Sequence, residues 1–167
     1  DLVHTLEAGE QALRELPAEW WYIRATARIF LSVAFQSLSE PARAYAILTE
    51  LDEPNPPDDY ETLMVCAQVF IRWAEADLSG LVQVANHGVS RAAHFPESEL
   101  IKLCRFFVGF CHYQRNELAQ AEAFLSEAVT FPYTNHAAAV LNSAVLMARI
   151  RLLQGRTDEA EQIVNGA

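Results

Sequence analysis

A faint echo of the chain within itself, at a spacing of about 40 residues, constrains the fold more than any other feature. Three segments carry it best: Ala76-Asp77-Leu78-Ser79-Gly80-Leu81, Asn116-Glu117-Leu118-Ala119-Gln120-Ala121 and Gly155-Arg156-Thr157-Asp158-Glu159-Ala160. An earlier one, Ser39-Glu40-Pro41-Ala42-Arg43-Ala44, fits the same frame. Each is a polar turn that opens a helix and reaches a small or apolar residue five positions on. Each follows a long apolar helical stretch. Self-similarity at 20 to 50 residues means stacked copies of one supersecondary unit, because one copy cannot bury its apolar face alone.

The bulk numbers agree with such a stack. Half of the 167 residues are hydrophobic and the mean hydropathy is +0.05, enough for a continuous core and far from a disordered composition. No apolar run reaches the 18 or more residues of a membrane span, and no signal peptide is visible. The net charge of −10, with 12 basic and 22 acidic residues, lacks the basic clusters that a phosphate backbone requires. Direct nucleic-acid binding is therefore not expected, and the charge reads as a solvated acidic exterior. Asp1 and Ala167 are expected to be cut ends of a longer polypeptide.

Helices are expected at 1–15, 18–37, 40–52, 60–76, 78–93, 98–115, 117–130, 135–154 and 157–166. Proline breaks separate them at Pro17, along Asp52-Glu53-Pro54-Asn55-Pro56-Pro57-Asp58-Asp59, at Phe95-Pro96 and at Phe131-Pro132. Pro41 stands where a first helical turn tolerates it, and Thr134 or Asn135 is placed to cap the eighth helix. No strand-like alternation appears. Overlaying the units puts Ala44, Ala121 and Ala160 at one site of the outer helices, with Leu51, Ala128 and Ala167 seven residues on. Small residues there let two helices approach closely, while Leu48, Leu125 and Val164 fill the space between. Ser32, Gly109 and Ala148 hold the matching small site on the inner helices. The second unit departs: Val69 and Leu81 are larger, and Gly88 replaces alanine, so its outer helix is expected to be displaced.

Catalytic and metal chemistry finds no footing. There is no G-x-x-x-x-G-K-[ST] for a nucleotide and no C-x-x-C or H-E-x-x-H. His4, His87, His94, His112 and His136 are scattered, and seven helical residues between His87 and His94 are too many for one zinc ion to bridge. Cys111 and His112 are neighbours, so their side chains diverge by about 100° on a helix and do not form a nucleophile–base pair. Cys104 and Cys111 lie about 10 Å apart along a helix, beyond the reach of a disulfide. With Cys66 they read as buried thiols of a reducing compartment. No cofactor and no metal are expected.

The small-residue pattern resembles the tetratricopeptide repeat: a small residue midway along the first helix, a glycine-type turn, and alanines early in the second helix and seven further on. Gly109, Asn116, Ala121 and Ala128 follow it, as do Ala148, Gly155, Ala160 and Ala167. The resemblance implies an all-α right-handed superhelix of antiparallel helix pairs, an α-solenoid. A half repeat would fill 1–17 and full repeats about 18–56, 57–95, 96–133 and 134–167 of a single array. Equivalent sites are 37, 40 and 39 residues apart. This long unit resembles the repeat region of large ATP-dependent LuxR-type transcription regulators, the family of the maltose-regulon activator. The family resemblance implies a cytoplasmic, non-enzymatic sensor segment between a nucleotide-binding switch and a DNA-binding helix-turn-helix. Its partners would be a small-molecule or protein effector and the flanking domains of the same polypeptide. The alternative is a scaffold that grips a peptide tail. Cut repeat ends also imply self-association.

One stripe recurs on the inner helices at i, i+4, i+7: Ile29, Val33 and Gln36; Cys66, Phe70 and Trp73; Phe106, Phe110 and Tyr113; Val145, Arg149 and Leu152. In tetratricopeptide arrays the inner helices line a concave groove. The resemblance thus makes Phe70, Trp73, Phe106, Phe110 and Tyr113 groove walls, with Arg149 as ionic anchor. The alternative is that the stripe packs one inner helix on the next. Trp20, Trp21 and Tyr22 form a second aromatic cluster, expected to staple the first repeat shut.

Overall fold

The computed structural model describes residues 2–49, 58–91, 99–129 and 137–166, and among them the chain is helical with no strand. Nine α-helices occur there: α1 (Leu2–Glu15), α2 (Trp21–Ser37), α3 (Pro41–Thr49), α4 (Asp58–Ala74), α5 (Leu78–Ser90), α6 (Glu99–Gln114), α7 (Leu118–Val129), α8 (Ala137–Leu153) and α9 (Thr157–Gly166). Two local departures from the expected spans have clear causes. Ala18–Trp20 winds as a 3₁₀ turn because the chain enters it from Pro17, whose carbonyl accepts from Trp20 N at 3.1 Å. Helix α4 ends at Ala74 rather than 76 because Glu75 and Ala76 belong to the turn that follows. Of the break read at 52–59, Asp58 and Asp59 instead open α4, while the rest of it, the breaks at Phe95-Pro96 and Phe131-Pro132, and the caps read at Thr134 and Asn135 lie outside the described residues.

The echo in the sequence is one backbone turn used four times. Ser39, Ala76, Asn116 and Gly155 all have left-handed φ, at 61°, 56°, 60° and 75°. At each turn the following amide bonds back to the carbonyl five residues earlier: Glu40 to Phe35, Asp77 to Arg72, Glu117 to His112 and Arg156 to Arg151, at 2.9–3.0 Å. The left-handed residue itself donates three residues back, at 3.0 Å in all four turns. This pair of bonds is the Schellman motif, which satisfies the last carbonyls of one helix and turns the chain into the next. At two turns a side-chain pair spans the same gap, Arg72 Nη1 to Asp77 Oδ2 at 2.9 Å and His112 Nδ1 to Glu117 Oε2 at 2.6 Å. A left-handed backbone costs a residue with a Cβ about 1–2 kcal/mol, partly offset by the freedom glycine loses on folding. Ala76→Gly should therefore raise stability by about 0.5–1 kcal/mol, and Gly155→Ala should lower it by about 1 kcal/mol. Thermal melts of the two variants read both signs.

The chain divides into two compact units, Asp1–Asp77 and Leu78–Ala167. The division falls inside the segment read as the second repeat, where Val69 and Leu81 break the small-residue pattern; both are fully buried. In the first unit α2 packs on α1, α3 and α4, and α3 also packs on α4. Its core joins Leu6 and Leu13 of α1, Leu31 and Phe35 of α2, Leu48 of α3, and Tyr60, Met64 and Ile71 of α4. Trp21 lies edge-on to Tyr60, with centroids 6.5 Å apart, and packs against this core. Its neighbours in the expected staple, Trp20 and Tyr22, are exposed.

In the second unit α6 packs on α5, α7 and α8, α7 on α8, and α8 on α9. Within each unit consecutive helices thus pair, and α2 meets α4 as α6 meets α8. The small positions are where the helices close: Ser32, Ala44, Gly109, Ala121, Ala128, Ala148 and Ala160 are all buried. Gly109 marks a close approach of α6 and α7. A Cβ built there would stand 2.7 Å from Leu125 Cγ and 3.3 Å from the Ala121 carbonyl oxygen.

Candidate functional site

An apolar cleft opens in the first unit between α2 and α4. It encloses about 260 Å³ and is lined by Val33, Gln36, Ser37, Phe70, Ile71, Trp73 and Ala74. The helical period builds it. Val33, Gln36 and Ser37 lie one turn apart on α2, and Phe70, Trp73 and Ala74 do the same on α4. Ile71 forms a buried wall, while Val33 and Trp73 are each 49% exposed and Phe70 39%. Among the described residues no ionisable side chain lines it. The Ser37 hydroxyl donates to the Val33 carbonyl at 2.9 Å and is left able only to accept. Gln36 Oε1 is buried without a hydrogen-bond partner among the described residues.

The stripe residues therefore separate. Four of them, Val33, Gln36, Phe70 and Trp73, share this cleft. Phe106, read as a groove wall, is instead a core residue, 8% exposed and edge-on to Phe107 at 4.9 Å. The reason is packing: α6 is covered by α5, α7 and α8, so the stripe's first position there falls inside the core. Phe110 is half-buried, with its ring 6.3 Å from that of Phe106, and Tyr113 is half-buried as well. On α8 the equivalents Val145, Arg149 and Leu152 face outward, beside an exposed Leu141. Phe110, Tyr113 and Arg149 belong to the second unit and Phe70 and Trp73 to the first.

Sequence reading missed the buried arginines. Arg24 Nη1 donates to the carbonyls of Leu13 and Leu16 at 2.9 and 2.8 Å, and Arg28 Nη1 to that of Ile47 at 2.9 Å. A cation at the end of α1 and another at the end of α3 complement the negative helix terminus. Their signal was two basic residues four apart on the core-facing side of α2. Arg151, two residues from the expected anchor Arg149, is buried and bonds Glu122 of α7, with Glu159 of α9 at 3.3 Å. That bond to Arg151 holds the Glu122 carboxyl below its ordinary value. A depressed carboxylate contributes stability above its unfolded pKa of about 4.3 and loses it as pH falls through the lower folded value. Arg151→Met should accordingly cost less at pH 3 than at pH 7, which denaturant melts at the two pH values measure.

Other chemistry is quiet. Among the described residues no group of three or more His, Cys, Asp or Glu could hold a metal ion. Cys104 and Cys111 are both buried, and burial pushes Cys111 up to about 11, so it stays protonated and unreactive at neutral pH. No helix among the described residues is long and apolar enough to cross a membrane. Compared with protein-family models, curated proteins and solved structures, the chain matches none.

Proposed function

We propose that this chain is a non-enzymatic recognition segment, a repeat array of tetratricopeptide type that senses an effector. The observation that carries this is the α2–α4 cleft, where stripe residues from successive inner helices meet around an open apolar space. Ligand pockets combine such walls with a few polar groups. The four Schellman turns and the buried small positions support a right-handed superhelix of antiparallel pairs within each unit. The resemblance to LuxR-type regulators supplies the setting: a cytoplasmic polypeptide whose flanking domains turn occupancy of the array into a transcriptional response. On this reading the chain needs no cofactor, does not touch DNA itself and catalyses nothing.

A second reading, a peptide-gripping or assembly scaffold, is favoured by α8. Leu141, Val145 and Leu152 form an exposed apolar row beside Arg149, suited to a protein partner or a second copy of the chain. A thermal-shift screen of small metabolites and short peptides tests the proposal, since a ligand that binds only the folded chain raises Tm. At 100 times its Kd such a ligand adds about 2.7 kcal/mol. Trp73→Ala should erase the shift for an effector of the cleft, and Val145→Glu for a partner of α8. A hit whose shift survives both changes would overturn the placement of recognition on these faces.

A further inference from the structure

We infer that the α2–α4 cleft takes a small, uncharged, ring-shaped molecule bearing a single hydrogen-bond donor; this deepens the recognition reading above and rests on it. Size comes first. The cleft offers about 260 Å³, at the small end of ligand clefts, which a compact guest fills. Charge comes second. With no ionisable side chain among the described lining residues, a charge held against the cleft walls finds no partner there.

Polarity comes third. Only Gln36, Ser37 and the Trp73 indole bring polar groups, and the Ser37 hydroxyl proton is already engaged by Val33. A sugar, with a hydroxyl on most carbons, would bury more donors and acceptors than these can pair. Shape comes last: Phe70 and Trp73 present ring faces and edges, which favour an offset or edge-on aromatic guest. The donor has a counterpart in Gln36, whose Oε1 is a buried acceptor without a partner among the described residues. The terminal amide torsion is broad, so a modest rotation turns that oxygen to an incoming N–H.

Indole is the probe, added to the whole chain and followed by calorimetry and saturation-transfer NMR. Binding should weaken at least tenfold in Trp73→Ala and vanish in Val33→Trp, which fills the space, while Leu152→Ala on α8 changes nothing. 1-Methylindole, lacking the N–H, should bind several-fold more weakly than indole, and Gln36→Leu should remove that difference. Indole-3-acetate, carrying a charge, should bind at least tenfold more weakly than indole. Circular dichroism confirms that each variant is folded, and the filled and truncated variants serve as each other's check.

Indole binding that survives both Trp73→Ala and Val33→Trp overturns the site. Indole-3-acetate, a glucose trisaccharide or a peptide binding the cleft more tightly than indole overturns the ligand class. If indole fails while a peptide or metabolite binds on α8, the inference falls and the recognition reading stands. If no compound of any class binds the chain, both fall.

Discussion

Gly109→Leu is expected to destabilise the second unit by about 3 kcal/mol, and Ala121→Arg by about 2–4 kcal/mol. Both changes strike one contact. Helices α6 and α7 meet where Gly109 has no side chain and Ala121 has only a methyl, and Leu125 fills the remaining space. Even one added carbon at Gly109 would stand 2.7 Å from Leu125 Cγ, inside any relaxed contact. Leu125 is fully buried and has little room to retreat. At Ala121 the cost has a second source, because arginine would bring a charge into a fully buried site.

Ala123→Arg is the control: its position on α7 is exposed, and the change should stay within about 0.5 kcal/mol. The measurement separates the units through their chromophores. Trp20, Trp21 and Trp73, the three tryptophans of the chain, lie in residues 1–77. Their fluorescence follows the first unit, and far-UV circular dichroism follows both. The damage should appear in the dichroism melt, and Leu125→Ala added to Gly109→Leu should recover part of it, since the clash is with that side chain. An unchanged melt for Gly109→Leu would mean that α6 and α7 do not close on this residue.

The elements were legible because their signals are local. Helical periodicity, proline breaks and the recurring turn residues each act within a few positions, and eight of nine starts fall within about two residues of their expected places. The start of α2 differed because Pro17 tightens the next turn into a 3₁₀ form, a geometry that apolar spacing does not encode. The small positions were legible for a different reason: only close helix approach explains a glycine or alanine at the same place in successive units. The cleft was half legible. Periodicity places Val33, Gln36, Phe70 and Trp73 on one stripe, yet whether a stripe is wall or core depends on what packs across it. Phe106 and Val145 occupy equivalent stripe positions, but the first is buried and the second exposed. The arginines were hidden because a long side chain can bury its stem and still reach a helix end, so charge alone does not reveal its place.

The same contrast yields the largest difference between aromatic substitutions on the stripe. Phe106→Ala should cost about 3–5 kcal/mol, the range for deleting a large buried ring. Phe70→Ala and Trp73→Ala should cost far less, about 1 kcal/mol, because those rings already meet solvent on one side. Stability and binding would then exchange places along one stripe. Phe106 loses its packing on Phe107 and Phe110 when truncated, and the dichroism melt of the second unit should fall accordingly. Phe70 and Trp73 lose cleft walls, so their variants should melt near the parent temperature while failing to hold a guest. Tyr113, half-buried on α6, should fall between the two. The decisive comparison is Phe106→Ala against Phe70→Ala, melted side by side in urea. Equal midpoints would show that the stripe plays one role along its whole length, either core or surface, and the cleft could no longer be set apart from the packing seam.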